Sequence, residues 1–331
     1  MLSGFEKHVL ITGCAGFIGS HCLEYFIDKY PHYHFTGIDK LNYASSYSTK
    51  YLTNILNNKN FTFIEKDLSE EFDFLFNLIV NSAQIDTIIH IAAESCVDRS
   101  FTQPLYFTRN NVLSSQNLLE CVRLAKSQNQ NLPIQFIHVS TDEVYGEQRI
   151  NESVDEKASL NPTNPYAASK AAVDIIAQAY KHSYNIPLKI VRSNNVYGPR
   201  QYPEKIIPMA MQSLCDRRKI RIHGNGSNKR NYLHVSDFVR GLDLIWHSES
   251  IGEVFNLGNE EEIDNLSLVK LICEIYFDDK TIDYKKFITF VKDREFNDAR
   301  YSLNLNKLKM LGWKPEIDLK GGIEELVKEY R

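Results

Sequence analysis

Through roughly the first 190 residues, short apolar runs alternate with longer stretches whose apolar positions recur at helical spacing, so strands and helices are expected in turn. His-Val-Leu-Ile-Thr at 8–12 predicts a first strand, followed by a glycine loop and a helix to about Tyr30. Further strands are predicted at 34–38, 61–65, 86–93, 134–140 and 188–192, with Ile88, Ile89 and Ile91 reading as fully buried. Residues 111–126 predict a long amphipathic helix. Another begins at Pro165, behind Asn164, a residue suited to cap it. Several of these strands are apolar runs without alternation, which calls for cover on both faces. The expected fold class is therefore α/β, a doubly wound parallel sheet with a smaller, interwoven C-terminal lobe.

After residue 192 the rhythm breaks, with Pro199, Pro203, Pro208 and the turn Gly224-Asn-Gly226 in quick succession. Residues 1–192 are expected to form the sheet domain. Residues 193–331 are expected to form mainly the lobe, with a stretch of about 236–258 returning to the sheet as helix and strand.

Composition narrows the picture. A net charge of −4 and a pI near 6.2 leave no basic footprint, which argues against nucleic acid as the main partner. The six cysteines, Cys14, Cys22, Cys96, Cys121, Cys215 and Cys273, form no Cys-x-x-Cys pair, so neither a disulfide frame nor a metal site is expected. The start carries no apolar signal core and no later run is long enough for a bilayer; no membrane contact and a cytoplasmic location are the expectation.

The candidate chemistry begins with Gly13-Cys-Ala-Gly16-Phe-Ile-Gly19, set between a strand and a helix. There Gly13 would make a tight turn, Gly16 would admit a pyrophosphate to backbone N–H groups at the positive helix end, and Gly19 would allow close helix–sheet packing. Asp39 ends the second strand about twenty residues later, where a carboxylate accepts ribose hydroxyls and repels a 2′-phosphate, favouring NAD over NADP. Lys40 beside it weakens that charge argument. Asp67-Leu68 stands where an adenine edge could be read, and Ala92-Ala93-Glu94-Ser95 offers small residues against which a nicotinamide could lie.

The stretch 134–146 delivers Ser140, Thr141, Asp142 and Glu143 at the carboxyl end of a strand, and Tyr166 and Lys170 fall one turn apart on the next helix. A charged lysine beside a phenol lowers its pKa, so that the phenolate can take a hydroxyl proton as hydride leaves the same carbon. Tyr-x-x-x-Lys also arises on surface helices, and Asp142-Glu143 can equally be a solvated pair capping the strand.

With these elements laid out, nearly the full length resembles the extended short-chain dehydrogenase/reductase family, and within it the nucleoside-diphosphate-glucose 4,6-dehydratases. The matching segments are Gly13–Gly19, 39–44, 92–95 with 97–100, Thr141-Asp-Glu-Val-Tyr-Gly146, Tyr166 with Lys170, 195–199, 203–208, and Asp293-Arg294 before Arg300-Tyr301. The Thr-Asp-Glu triplet separates this group from related epimerases and decarboxylases. The resemblance implies a Rossmann-type fold with a substrate-binding lobe, a tightly held NAD, and three coupled steps on a sugar nucleotide. Tyr166 would take the 4-hydroxyl proton as hydride passes from C4 to NAD, with Thr141 on that oxygen and Lys170 holding tyrosine and ribose. Glu143 would then remove the C5 proton while Asp142 protonates the departing 6-hydroxyl, and hydride would return to C6.

The resemblance further implies cofactor contacts at Gly13, Gly16, Phe17, Ile18, Gly19, Asp39, Lys40, Asn42, Asp67, Leu68, Ala92, Ala93, Ser140, Tyr166 and Lys170. It implies substrate contacts at Ser95, Thr141, Asn195, Glu204, Lys205, Arg230, Asn231, Asn265, Arg294 and Asn297, where guanidinium groups suit phosphate. Cys96 departs from the family's usual histidine, and the form of 293–298 leans toward the UDP-glucose-handling branch, leaving dTDP against UDP open. Two other readings stand beside this one: a nucleotide-sugar 4-epimerase, which has no need of Asp142 and Glu143, and a catalytically silent sugar-nucleotide or NAD binder. Relatives pair through two long helices per subunit, here about 111–126 and 166–184, so a homodimer with a four-helix interface is expected.

Overall fold

A computed structural model describes residues 4–82 and 84–331. Its strands are β1 (Lys7–Thr12), β2 (Tyr33–Asp39), β3 (Phe61–Glu65), β4 (Thr87–His90), β5 (Gln135–Thr141), β6 (Leu188–Ser193), β7 (Asn195–Tyr197), β8 (Ile220–His223), β9 (Lys229–His234), β10 (Val254–Leu257), β11 (Glu262–Asp264) and β12 (Ile288–Val291). Seven of them form one sheet in the order β10-β6-β5-β4-β1-β2-β3. The registers β1–β2, β2–β3, β1–β4 and β4–β5 are parallel, and the bonds Ile190 N–H to Glu253 O and Asn194 N–H to Leu257 O climb β6 and β10 together. Strand order reverses between β1 and β4, and such sheets present ligands beyond the carboxyl ends of the strands there.

The chain divides into two compact units. The first comprises Met1–Thr141, Asn164–Arg192 and Leu242–Phe255; the second comprises Asp142–Thr163, Ser193–Gly241 and Asn256–Arg331. In the first, Leu10, Ile38, Ile88, Phe136 and Ile190 from five strands pack with Leu118, Val122 and Ala177 from the covering helices Ser114–Gln128 and Pro165–Tyr184. The helix Phe17–Lys29 buries Cys22, Leu23 and Phe26 in turn. Cover of this kind explains why these strands read as apolar runs. The second unit holds a three-stranded sheet, β11-β9-β7, and the parallel pair β12-β8. Its core joins Ile222 and Tyr232 to Ile207 and Met211 of helix Ile206–Cys215, Leu268 and Ile272 of helix Asn265–Phe277, and Ile323 of helix Leu319–Tyr330.

Several expectations need adjusting. The strand predicted at 86–93 ends at His90, and Ile91 is half-buried instead of fully buried. The His90 ring is held by Thr12 Oγ1 at 2.7 Å and Ser115 Oγ at 2.8 Å, and the chain then turns so that Ala92 lies against Gly13. The single helix predicted at 111–126 is part of a longer helical path from Pro104, with a widened turn over Thr108–Leu113 before Ser114–Gln128. The hydroxyls of Ser114 and Ser115 donate back to the carbonyls of Asn110 and Asn111, which opens a helix in this way. Helix Val235–His247 and strand β10 beside β6 lie in the stretch 236–258, of which Leu242–Phe255 belongs to the first unit.

Candidate functional site

In the first unit the glycine loop has the shape its sequence demands. Gly13 has φ +69°, and a Cβ there would lie 2.7 Å from Ala92 Cα, so loop and β4 end meet backbone to backbone. A Cβ on Gly19 would fall 2.1 Å from Gly13 O and 2.8 Å from Cys14 Cα. At Gly16 the same atom would meet Gly13 O alone, at 3.3 Å, leaving that side of the loop open. Helix Phe17–Lys29 starts there without a side-chain cap, so its first N–H groups can face an anion. Phe17 and Ile18 are half-buried in this first turn.

Asp39 accepts the Ala15 N–H at 3.0 Å and the Leu41 N–H at 2.8 Å, pinning the glycine loop to the end of β2. Burial raises its pKa despite those donors. The Lys40 ammonium, while still acting on Asp39, donates to Tyr106 Oη at 3.2 Å and to Asn110 Oδ1, with Asp67 at 3.5 Å and Glu94 at 3.7 Å. Burial works against its charge, yet Tyr106 and the two carboxylates outweigh it and raise the pKa. The positive charge that complicated the sequence argument is thus neutralised locally. Asn42 donates to Glu94 Oε1 at 2.6 Å, and Asp67 is held by the Ser69 N–H and hydroxyl at 2.9 and 2.8 Å. The Leu68 side chain belongs to the core, and its carbonyl accepts Asn117 Nδ2.

The carboxyl end of β5 brings Ser140 and Thr141, both buried, beside helix Pro165–Tyr184. Asn164 caps that helix by accepting the Ala167 N–H at 2.8 Å, with Pro165 at its first position. Tyr166 is buried against Cys96 and Phe107, so the cysteine that replaces histidine forms part of an apolar wall beside the phenol. Lys170 donates to the Val139 carbonyl at 2.7 Å, and burial pulls its pKa down to about 8 against the upward pull of Asp174. Ala92, Ala93 and Ser95 are half-buried in the loop after β4.

In the second unit Asp142 and Glu143 follow Thr141 directly along the chain, in a tight turn over Asp142–Tyr145, and both are buried. They are not a solvated acidic pair. Asp142 Oδ2 accepts Asn194 Nδ2 at 2.9 Å. The Arg230 guanidinium lies 4.5 Å from the Tyr301 ring centroid and reaches Asn297 Oδ1 at 3.4 Å. Tyr301 donates to Asp298, which also accepts Thr163 Oγ1 at 2.6 Å; burial, with Glu143 and Asp298 nearby, pushes the Tyr301 phenol far above its ordinary range. Asn231 is 1% exposed, and its amide nitrogen and oxygen find no hydrogen-bond partner among the described residues. A buried amide left so is costly unless a ligand completes it.

The remaining predicted substrate residues occupy separate elements. Asn195 opens β7, Glu204 and Lys205 precede helix Ile206–Cys215, and Asn265 opens helix Asn265–Phe277. Arg294 and Asn297 are drawn to Asp293, by the Arg294 N–H and by Asn297 Nδ2, each at 2.9 Å.

Sequence reasoning passed over Glu94, Asn111 and Asn194. Glu94 is 1% exposed and gathers Asn42, Tyr106 at 3.0 Å, Lys40 and Arg99. Asn111 accepts the Glu94 N–H at 2.7 Å and donates to Ser169 Oγ at 2.9 Å, which in turn donates to the Tyr166 carbonyl at 2.7 Å. A lone acid ending a strand and its small-residue loop was the available signal for Glu94; an asparagine inside a helix gave none.

The family model described as GDP-mannose 4,6 dehydratase matches residues 10–326. A dTDP-D-glucose 4,6-dehydratase of Dictyostelium discoideum is 40% identical, over 99% of this chain and 82% of its own. A trifunctional Arabidopsis thaliana protein with a UDP-glucose 4,6-dehydratase activity in its name is 39% identical, over 98% of this chain and 47% of its own. The crystal structure of DesIV, a dTDP-glucose 4,6-dehydratase from Streptomyces venezuelae with NAD and TYD bound, superposes with a TM-score of 0.89 at 33% identity, covering 98% of this chain and 97% of that one. The chain belongs to the GDP-mannose 4,6 dehydratase family, within the extended short-chain dehydrogenase/reductases.

Proposed function

We propose that this protein is an NAD-dependent nucleoside-diphosphate-glucose 4,6-dehydratase, a hydro-lyase with dTDP-glucose as its first candidate substrate and UDP-glucose as its second. The observation that carries the reading is the run Thr141-Asp142-Glu143 at the end of β5, with all three side chains buried. An epimerase needs no buried acid and base there, and a silent binder needs none of Tyr166, Lys170 and the triplet together.

Gly13, Gly16, Phe17, Ile18 and Gly19 would cradle the cofactor's pyrophosphate, Asp39 its ribose, and Lys40, Asn42, Asp67, Leu68, Ala92, Ala93 and Ser140 its remaining parts. The nicotinamide, when bound, supplies an acceptor for the hydride of C4 and a donor of hydride to C6. Tyr166, as phenolate, takes the 4-hydroxyl proton, with Thr141 hydrogen-bonded to that oxygen and Lys170 supporting the phenolate's charge. The 4-ketone acidifies C5. Glu143 removes that proton and Asp142 protonates the 6-hydroxyl so that it leaves as water; as hydride reaches C6, Glu143 would return a solvent-exchanged proton to C5. Arg230, Asn231, Asn265, Arg294, Asn297, Asn195, Glu204, Lys205 and Ser95 bind the nucleotide and sugar, and the unsatisfied amide of Asn231 supports that assignment. Residues 1–192, with a return of about 236–258, form the cofactor-binding domain that also carries the acid/base groups, residues 193–331 mainly form the substrate-binding lobe, and the protein acts as a homodimer.

An NMR time course in deuterated water, with dTDP-glucose and UDP-glucose in separate tubes and no NAD added, tests the reading. A 4-keto-6-deoxy product carrying deuterium at C5 is expected, and the faster tube names the nucleotide. Glu143→Gln is expected to stop deuterium entry at C5, whereas an epimerase would keep most of its activity. No change in either sugar, even with NAD supplied, defeats the proposal.

A further inference from the structure

We propose that Asp174 is a positioning residue of this site: its carboxylate, buried one helical turn beyond Lys170, keeps the Lys170 ammonium charged while that ammonium is fixed on the Val139 carbonyl. The inference deepens the proposed function, since it assigns what sustains the lysine on which the phenolate relies.

Lys170 and Asp174 stand four residues apart on helix Pro165–Tyr184, and that spacing places both on one face. Asp174 is fully buried; Arg192 Nε on β6 donates to its Oδ2 at 2.8 Å, and His138 Nε2 on β5 lies 3.5 Å from its Oδ1. Lys170 is 3% exposed. A carboxylate, a guanidinium and an ammonium are therefore enclosed together between helix and sheet. Burying such a set sacrifices a large hydration energy, and apolar side chains of similar volume would support the fold as well or better. The cluster consequently calls for a reason other than stability.

The charges supply one. The titratable groups set around Lys170 are Asp174 from its own helix, His90 from β4 and His138 from β5, with Arg192 of β6 held on Asp174, while Tyr166 stands one turn back along the helix. Burial holds both histidines neutral, and Lys170 itself reinforces that. Burial raises the pKa of Asp174 itself, opposed by Arg192, Ser140 and Lys170, and its carboxylate supplies the negative charge in this group. With its carboxylate present, Lys170 still titrates only near about 8, so the margin that keeps it charged at neutral pH is narrow. Without it, desolvation acts on Lys170 unopposed.

The test is a pH titration of Lys170 in holoenzyme labelled with 13Cε-lysine, the signal assigned by its loss in Lys170→Met. Asp174→Asn is expected to move the midpoint down by about one pH unit, a tenfold smaller charged-to-neutral ratio at a given pH. Arg192→Gln, which frees the carboxylate from its guanidinium, is expected to move it up. Retained NAD reports that each variant is folded; if Asp174→Asn does not fold, Asp174→Ser removes the same charge and its titration decides, a downward movement supporting the proposal. A midpoint unchanged from wild type in the folded variants overturns it. The titration reads the lysine directly, so it stands or fails apart from whether any nucleotide-glucose is turned over.

Discussion

Asn194 donates its side-chain amide to Asp142 Oδ2 over 2.9 Å while its own Oδ1 accepts the Asn259 N–H at 2.9 Å. A Cβ on Gly258 would lie 1.8 Å from that Oδ1, so the backbone at 258–259 closes tightly on the amide. The Asn259 N–H requires an acceptor, which fixes the oxygen there and directs the NH2 at Asp142. An N–H donor on one carboxyl oxygen leaves the proton of the acid form to the other. Asn194 thereby orients the group proposed to protonate the leaving hydroxyl.

Asn194→Ala should therefore lower kcat about tenfold with KM changed little, because a misplaced acid costs on the order of one hydrogen bond in the transition state. Steady-state kinetics with the nucleotide-glucose that proves active would check it. A kcat equal to wild type would remove the orienting role.

The glycine loop allows a graded comparison. Gly19→Ala drives a Cβ to 2.1 Å from Gly13 O and 2.8 Å from Cys14 Cα, both backbone atoms that have little room to move. Gly16→Ala meets a single backbone oxygen at 3.3 Å. Overpacking costs roughly 1–3 kcal/mol or more where the neighbours are rigid, well above the ~1 kcal/mol by which alanine improves a helix turn. Gly19→Ala should lose both thermal stability and resident NAD, and Gly16→Ala should lose far less stability. Melting curves alongside NAD released on acid precipitation give the ranking, which equal losses in the two variants would contradict.

Acid should weaken the first unit through His90. Its ring is enclosed between Thr12 and Ser115 and stacks on His138 with centroids 5.6 Å apart. Burial, aided by Lys170, lowers its pKa from 6.5 to about 3. A depressed histidine binds fewer protons folded than unfolded, so its contribution is fully present above pH 6.5 and is lost as pH falls from there toward 3. Between pH 7 and pH 5 the loss amounts to about 2 kcal/mol. Urea unfolding at both pH values should show a drop of at least that size, and His90→Gln should show a smaller one. An identical pH dependence in the variant would exclude His90 as its source.

Much of this was legible in the chain because period and punctuation act locally. The apolar runs of β1, β2 and β5, the Asn164-Pro165 start and the Gly13 turn each rest on forces within a few residues, and each is found within a residue of where it was read. What escaped depends on partners distant in sequence. Ile91 leaves the core because His90 is claimed by Thr12, 78 residues away, and the helix at 108–113 widens around Asn111, whose amide serves Glu94 and Ser169. Asn194 was overlooked beside Asn195 for the same reason: nothing local distinguishes two adjacent asparagines until Asn259 and Asp142 arrive on either side of one of them.

The same helix that carries Tyr166 and Lys170 carries the most accessible prediction about assembly. Ile175 is 59% exposed and Tyr184 47%, while Leu113 on the neighbouring helical path is 39% exposed. Lone apolar side chains on a surface need no explanation, but these lie on two helices that pack together. Polar groups accompany them: Arg123 pairs with Glu120 at 2.6 Å and stands over the Tyr184 ring at 5.4 Å, and Tyr180 donates to Glu120 at 3.1 Å. Apolar residues with charged neighbours at their border suit a self-complementary contact about a two-fold axis, in which each copy places the same patch against the other. Sedimentation should therefore give a mass near twice 38.3 kDa. Ile175→Asp would bury two unpaired charges at such a contact and should yield single chains with Tyr166 and Lys170 undisturbed on the opposite face. A wild-type mass of one chain would refute the homodimer, and a dimeric Ile175→Asp would move the interface elsewhere.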